Sequence, residues 1–108
     1  MTKDKDKMYF HAEYDSGTRV VWGKAVARQL GSVPRNVAAK FFEWTKAVQR
    51  LGLPEVRRRP GFHDEPLKGN RRGQRSIRLN RSYRAIYVET RDGTVELVEV
   101  MEVTKHEY

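Results

Sequence analysis

The sequence has no cysteine, which excludes a disulfide scaffold and a thiolate zinc site. That absence suits a reducing cytoplasm, the expected location. No apolar run approaches the roughly 20 residues needed to span a bilayer. The opening Met1-Thr2-Lys3-Asp4-Lys5-Asp6-Lys7 has no apolar stretch behind it to make a secretory signal, so no membrane association is expected. Histidine is scarce. His11, His63 and His106 lack metal-ligand spacing, and only His63 has a cluster of carboxylates beside it, Asp64 and Glu65. No bound metal and no other cofactor are expected. Gly69-Asn70-Arg71-Arg72-Gly73 lacks the lysine and hydroxyl of a phosphate-binding loop. Ser16, Ser32, Ser76 and Ser82 stand in no nucleophile-elbow context. Hydride transfer and acyl transfer are left without support.

What the chain has in abundance is positive charge, and the charge is concentrated. The net charge is +8 over 108 residues. Residues 57–84 hold ten Lys/Arg against only Asp64 and Glu65, while the remaining residues hold twelve basic and twelve acidic side chains and cancel. A field gathered into one quarter of the chain points to a polyanionic partner, nucleic acid first. Nine of the ten are arginine, whose planar fork grips phosphate better than a lysine ammonium does. The competing reading is a solubilising surface with Arg–Glu pairs across strands.

The length fits one domain with a modest core. Residues 1–17 read as an N-terminal extension, with 1–7 a mobile tail, and 18–108 as the domain. Strand-like content runs from Tyr9 to Trp22, interrupted at Asp15-Ser16-Gly17, and Val20, Val21 and Trp22 close a first strand. Lys24 to Leu30 reads as a short helix ended by Gly31. The clearest element is the next helix, with Pro34 at its first position and Gly52 just past its end. Val37, Phe41, Trp44, Val48 and Leu51 recur at three- and four-residue spacings and form its buried face, widened by Ala38, Phe42 and Thr45. Leu53-Pro54 breaks that pattern, and the prolines that follow predict irregular chain. Strands are expected at about Gln74–Leu79, Tyr83–Thr90 and Thr94–Val103, the last two joined by a turn at Arg91-Asp92-Gly93. Arg72, Arg75, Arg78, Arg81 and Arg84 fall every third residue. In strands that spacing sends them alternately to both faces, so at most about half can line one cleft. Glu96, Glu99 and Glu102 are partners for the others. Helices followed by an antiparallel meander give an α+β class, with helices covering one face of a small antiparallel sheet.

Cleaving RNA without a metal requires a group to help deprotonate the 2′-hydroxyl and a group to protonate the leaving 5′-oxygen. It also requires cations to stabilise charge on the phosphate. His106 can shuttle protons, Tyr108 can donate a hydrogen bond or stack on a base, and Lys105, Arg78 and Arg84 can supply charge. A plain nucleic-acid-binding module remains the alternative at this point.

Residues 60–87 resemble the central signature of HigB-type toxins in the RelE superfamily. The recurring parts are Leu67-Lys68-Gly69, Ser76-Ile77-Arg78-Leu79, the strand start Ser82-Tyr83-Arg84, and a final strand running into Lys105-His106-Glu107-Tyr108. The likeness spans roughly residues 18–108 and includes Val21-Trp22-Gly23-Lys24-Ala25-Val26. It implies a RelE-like fold with two N-terminal helices packed on one side of a small antiparallel sheet. It also implies a type II toxin–antitoxin system in which the toxin is a metal-independent endonuclease acting on mRNA in the ribosomal A site. The cognate antitoxin that the resemblance implies would carry a helix-turn-helix DNA-binding domain. By motif position Arg84 contacts the scissile phosphate, Arg78 is the basic residue of the preceding strand, and His106 and Tyr108 form the C-terminal catalytic pair. Lys68 and Arg75 match as RNA contacts, and Arg71, Arg72 and Lys105 extend that surface. Two departures stand out: relatives usually continue for a few residues beyond the position of Tyr108, and the segment before residue 18 is outside the pattern. Within the superfamily the rival is a ParE-like inhibitor of DNA gyrase with no nuclease activity. Outside it the rival is a non-catalytic nucleic-acid-binding module, which would need no His106.

Overall fold

The computed structural model describes residues 15–105. In chain order these form β1 (Thr18–Trp22), α1 (Lys24–Ser32), α2 (Arg35–Leu51), α3 (Leu53–Arg57), β2 (Glu65–Pro66), β3 (Arg75–Arg78), β4 (Tyr83–Asp92) and β5 (Val95–Lys105), with single 3-10 turns at Pro60–Phe62 and Gly69–Arg71. The strands make one sheet in the order β1-β5-β4-β3-β2.

The α2 periodicity does what its spacing requires. Val37, Phe41, Trp44, Thr45 and Val48 are buried and join the inward residues of the sheet, Val20, Ile77, Ala85, Tyr87, Val98, Val100 and Val103, in one core. Trp44 and Tyr87 stack tilted with centroids 5.3 Å apart, and Trp22 meets Phe41 edge-on at 5.2 Å. Burying a ring such as Phe41 completely stabilises the fold by about 1.5–3 kcal/mol. Phe42 departs from its expected place on the buried stripe. It is 41% exposed, one helical step off the centre of the face, and leans its ring on Trp22 and Phe41.

Several boundaries differ from the sequence reading. Pro34 caps α2 instead of opening it, its carbonyl accepting from the Val37 and Ala38 amides. Gly31 lies inside α1, which runs to Ser32. An isolated glycine costs a helix about 1 kcal/mol without ending it. Leu53-Pro54 does not leave the chain irregular. Gly52, at φ 88°, ends α2, and the chain re-enters a short helix with Pro54 in its first turn, where a missing N–H costs nothing. Burial of Leu53 and Val56 holds that third helix.

The sheet is mixed, which corrects the expected all-antiparallel arrangement. β2 to β5 are an antiparallel meander, but β1 pairs in parallel with β5, Val20 opposite Val98. The helices intervene between β1 and the meander and supply the long crossover that a parallel pair needs. The outer edge of β1 is partly closed by α2: Gln49 Oε1 accepts from the Val20 amide, and the Ser16 amide donates to the Gln49 carbonyl. Such cover blunts an edge strand. The last hairpin turns at Gly93-Thr94, one residue later than expected, because β4 extends through Asp92 and Gly93 takes the positive φ. In β5 the register shifts opposite Ile86/Tyr87. This bulge absorbs Met101 and lets both Val100 and Val103 face the core. None of the described helices is long and apolar enough to cross a membrane.

Candidate active site

Strand register decides which arginines can work together. Ile77 opposite Ala85 and Tyr87 opposite Val100 face the core, so the alternate residues occupy the other, outer face. One row there runs across four strands: Glu65, Ser76, Ile86 and Glu102. Two residues along, and so roughly 7 Å away, a second row holds Arg78, Arg84 and Thr104. Arg78 and Arg84 are therefore directly opposed on antiparallel strands. Like charges in that arrangement are destabilising. Neither side chain has an ion pair among the described residues, and the Arg84 Nε–H is buried with no hydrogen-bond partner there. An N–H withheld from both water and protein is costly unless something else accepts it. Two opposed, uncompensated guanidinium groups make a site for an anion.

The β3–β4 hairpin that holds this pair is fixed locally. Asn80 Oδ1 accepts from the amides of Ser82 (2.7 Å) and Tyr83 (2.8 Å), and the Leu79 amide donates to the Tyr83 carbonyl at 2.9 Å. This Asx turn is what Asn at that position provides. Between the hairpin and the chain leading into β2 lies a small solvent-open cleft lined by His63, Glu65, Ser76, Arg78, Arg81 and Arg84, among others. His63 takes a left-handed conformation (φ 52°, ψ 48°), costly for most side chains but one that histidine adopts more readily than most. Its amide donates to the Pro60 carbonyl. The cleft thus brings together two opposed arginines, a carboxylate and an imidazole. Those are the parts needed to bind a phosphodiester and move protons beside it. Among the described residues no group of three or more His, Cys, Asp or Glu could hold a metal ion.

The other expected site residues are distributed as follows. Arg75 is not in the cleft. It lies in the inward register, and its Nε donates to Asp64 Oδ1 at 2.6 Å. Arg71 is tied to Glu102 and to Gln74. Lys68 precedes the Gly69–Arg71 turn and Arg72 follows it, both exposed. Lys105 ends β5 opposite Tyr83, one residue beyond Thr104, the partner of Arg84. His106 and Tyr108 lie outside the described residues, as does His11. Of the expected glutamate partners, Glu102 holds Arg71 and Glu96 holds Arg91.

Sequence reasoning missed His63, Glu65 and Asn80 as site residues. Asp64 and Glu65 are the only acids in the basic window, and that isolation was the available signal. One of them, Asp64, neutralises arginines on the inner face, and the other lines the cleft. On the inner face burial, and then the hydrogen bond that it donates to Asp64 (2.6 Å), push the Tyr87 hydroxyl above the ordinary phenol value. Arg57 bridges Tyr87 and Glu89. Burial works against its charged form, but those two contacts prevail and raise it.

No family model matches the sequence, and no curated protein matches it. Solved structures do match in fold. A YoeB/ParE toxin from Agrobacterium tumefaciens superposes with a TM-score of 0.64 at 20% identity, covering 82% of this chain and 99% of that one. The archaeal RelE–RelB complex from Pyrococcus horikoshii OT3 gives 0.61 at 23% identity, covering 82% and 94%. The YoeB dimer from Staphylococcus aureus gives 0.60 at 20% identity, covering 86% and 100%. The chain has the fold these toxins share.

Proposed function

We propose that this chain is a toxin of the RelE superfamily, of the HigB type, which cuts mRNA in the ribosomal A site and so stops translation. The observation that carries the reading is the opposed Arg78–Arg84 pair, without an ion pair among the described residues, in one cleft with Glu65 and His63. The shared fold and the Leu67-Lys68-Gly69 and Ser82-Tyr83-Arg84 signatures support it. In the reaction the RNA 2′-oxygen bonds to the adjacent phosphorus and the bond from phosphorus to the 5′-oxygen breaks. This leaves a cyclic phosphate and a 5′-hydroxyl. Glu65 or His63 accepts the 2′-hydroxyl proton, and an acid returns one to the 5′-oxygen. Arg78 and Arg84 neutralise the charge that grows on the phosphate oxygens. The cleft supplies its own charge and proton-moving groups, so the reaction requires no metal. Lys68, Arg71, Arg72 and Lys105 are assigned to RNA contact, with Arg71 first having to leave Glu102, whereas Arg75, held by Asp64 on the inner face, is assigned to the scaffold. His106 follows Lys105 in the sequence, and with Tyr108 it completes the proposed catalytic set. The proposed partners are mRNA on the ribosome and an antitoxin that covers the basic surface, and the proposed location is the cytoplasm.

The test is brief induction followed by mapping of mRNA 5′ ends. Cuts inside coding regions are expected, in register with codons, together with translational arrest. Intact mRNA accompanied by supercoiling defects would replace this reading with the ParE-like, gyrase-directed one.

A further inference from the structure

His63, Asp64 and Glu65 are consecutive, yet they face opposite sides of the sheet. His63 and Glu65 reach the outer cleft, whereas the Asp64 side chain is 1% exposed on the inner side. Its carboxylate is fully engaged there: Oδ1 accepts from Arg75 Nε at 2.6 Å, Oδ2 accepts from the Tyr87 hydroxyl at 2.6 Å, and Arg57 Nε stands 3.9 Å away. Arg75 and Tyr87 are themselves opposed residues of β3 and β4. They are the inner-face neighbours of the strands that carry Arg78 and Arg84. On the other side of His63, Phe62 is buried in the core under Lys40, whose Nζ lies 4.9 Å from the ring centroid. The left-handed His63 is thus strung between two anchors, and a left-handed backbone persists only where its surroundings impose it.

We infer that Asp64 is a positioning residue for the cleft: by locking onto Arg75 and Tyr87 through the sheet, it fixes His63 and Glu65 against the Arg78–Arg84 pair. This rests on the proposed ribonuclease reading for its effect on rate, but not for its effect on structure. Reading the binding geometry from the opposite face of the same two strands keeps the proton-moving groups in register with the phosphate site. A misplacement of about 1 Å at such groups costs on the order of 10²-fold in rate.

The experiment uses the full chain with Asp64→Ala and Asp64→Asn, the latter retaining size and one acceptor. Backbone relaxation by NMR should show order parameters at His63 and Glu65 falling below about 0.6 in Asp64→Ala. β3 and β4 should stay rigid, and Asp64→Asn should be intermediate. On ribosome complexes Asp64→Ala should lower the single-turnover rate on the order of 10²-fold. The half-saturating ribosome concentration should stay near wild type, with partial rescue by Asp64→Asn. If Asp64→Ala does not fold, Asp64→Asn is read in the same way, with smaller losses expected. Unchanged order at His63 and Glu65 in the folded variants overturns the inference, as does loosening with an unchanged cleavage rate. A wild-type protein that never cleaves RNA overturns only the functional reading, because the relaxation result stands without it.

Discussion

The inner and outer faces of β3 and β4 use one residue type in two ways. On the inner face Arg75, together with Arg57 from α3, surrounds Asp64, Tyr87 and Glu89, with Arg75 Nε, Arg57 Nη2 and the Tyr87 hydroxyl each at hydrogen-bonding distance from an acceptor. Three residues along the same strand, Arg78 faces Arg84, and neither has an ion pair among the described residues. Composition cannot separate Arg75 from Arg78 and Arg84, because all three belong to one run of arginines at every third position. The two-residue period of the strand separates them: an odd offset changes face. Compensated arginines hold the scaffold, and uncompensated ones wait for an anion. Arg57 and Arg84 both bury an Nε–H without a hydrogen-bond partner among the described residues, but Arg57 also has carboxylates within ion-pair distance and Arg84 has none there.

That contrast can be broken by substitution, and the expected effects descend in size. Arg78→Ala should lower single-turnover cleavage on saturated ribosomes by about 10²-fold or more. Thermal denaturation should show no loss of stability, since removing one of two opposed like charges relieves about 0.2–1 kcal/mol. Asp64→Ala should do the reverse on the stability axis. It should cost about 3 kcal/mol by urea titration, the low end for breaking a buried pair, because Arg75 and Arg57 keep 25% and 30% of their side chains exposed.

Tyr87→Phe should cost about 1.5 kcal/mol, the low end for a hydrogen bond to a charged group, and should also change the response to alkali. The Tyr87 hydroxyl is raised in the folded state, so the unfolded chain gives up this proton first. Stability should therefore be intact below about pH 10, the ordinary phenol value, and decline as pH rises above it. The phenylalanine variant should decline less over that range. Smallest of all, Arg72→Ala should leave the saturated cleavage rate near wild type. It should weaken RNA affinity and flatten its salt dependence by about one unit of slope, which sharpens the distinction between exposed contacts and the cleft.

The elements with a repeating pattern were legible in the sequence, and those made by chain path were not. α2 could be read because Val37, Phe41, Trp44 and Val48 repeat with the helical turn, and β3 to β5 because Ile77, Ala85, Tyr87, Val98 and Val100 alternate. The parallel pairing of β1 with β5 left no local trace, since its partners are more than seventy residues apart. Pro54 read as a break because a proline that ends one helix looks the same as a proline that opens the next. At the site, Arg78 and Arg84 were legible as a basic pair, and their opposition followed once the hairpin closed at Asn80. His63 and Glu65 were not, because a left-handed residue between two buried anchors belongs to no period. The split of Asp64 from Glu65 between two faces appears only when β2 is placed beside β3.

The central claim is that the outer-face arginine pair acts on the reacting phosphate and does not merely attract RNA. The most direct measurement is the single-turnover cleavage rate of Arg84→Ala on ribosome complexes at saturating concentration, with folding verified at the assay temperature. A fall of about 10²–10³-fold at unchanged saturation is predicted. Cleavage at the wild-type rate, with only the affinity reduced, would contradict it and leave the outer face as a binding surface alone.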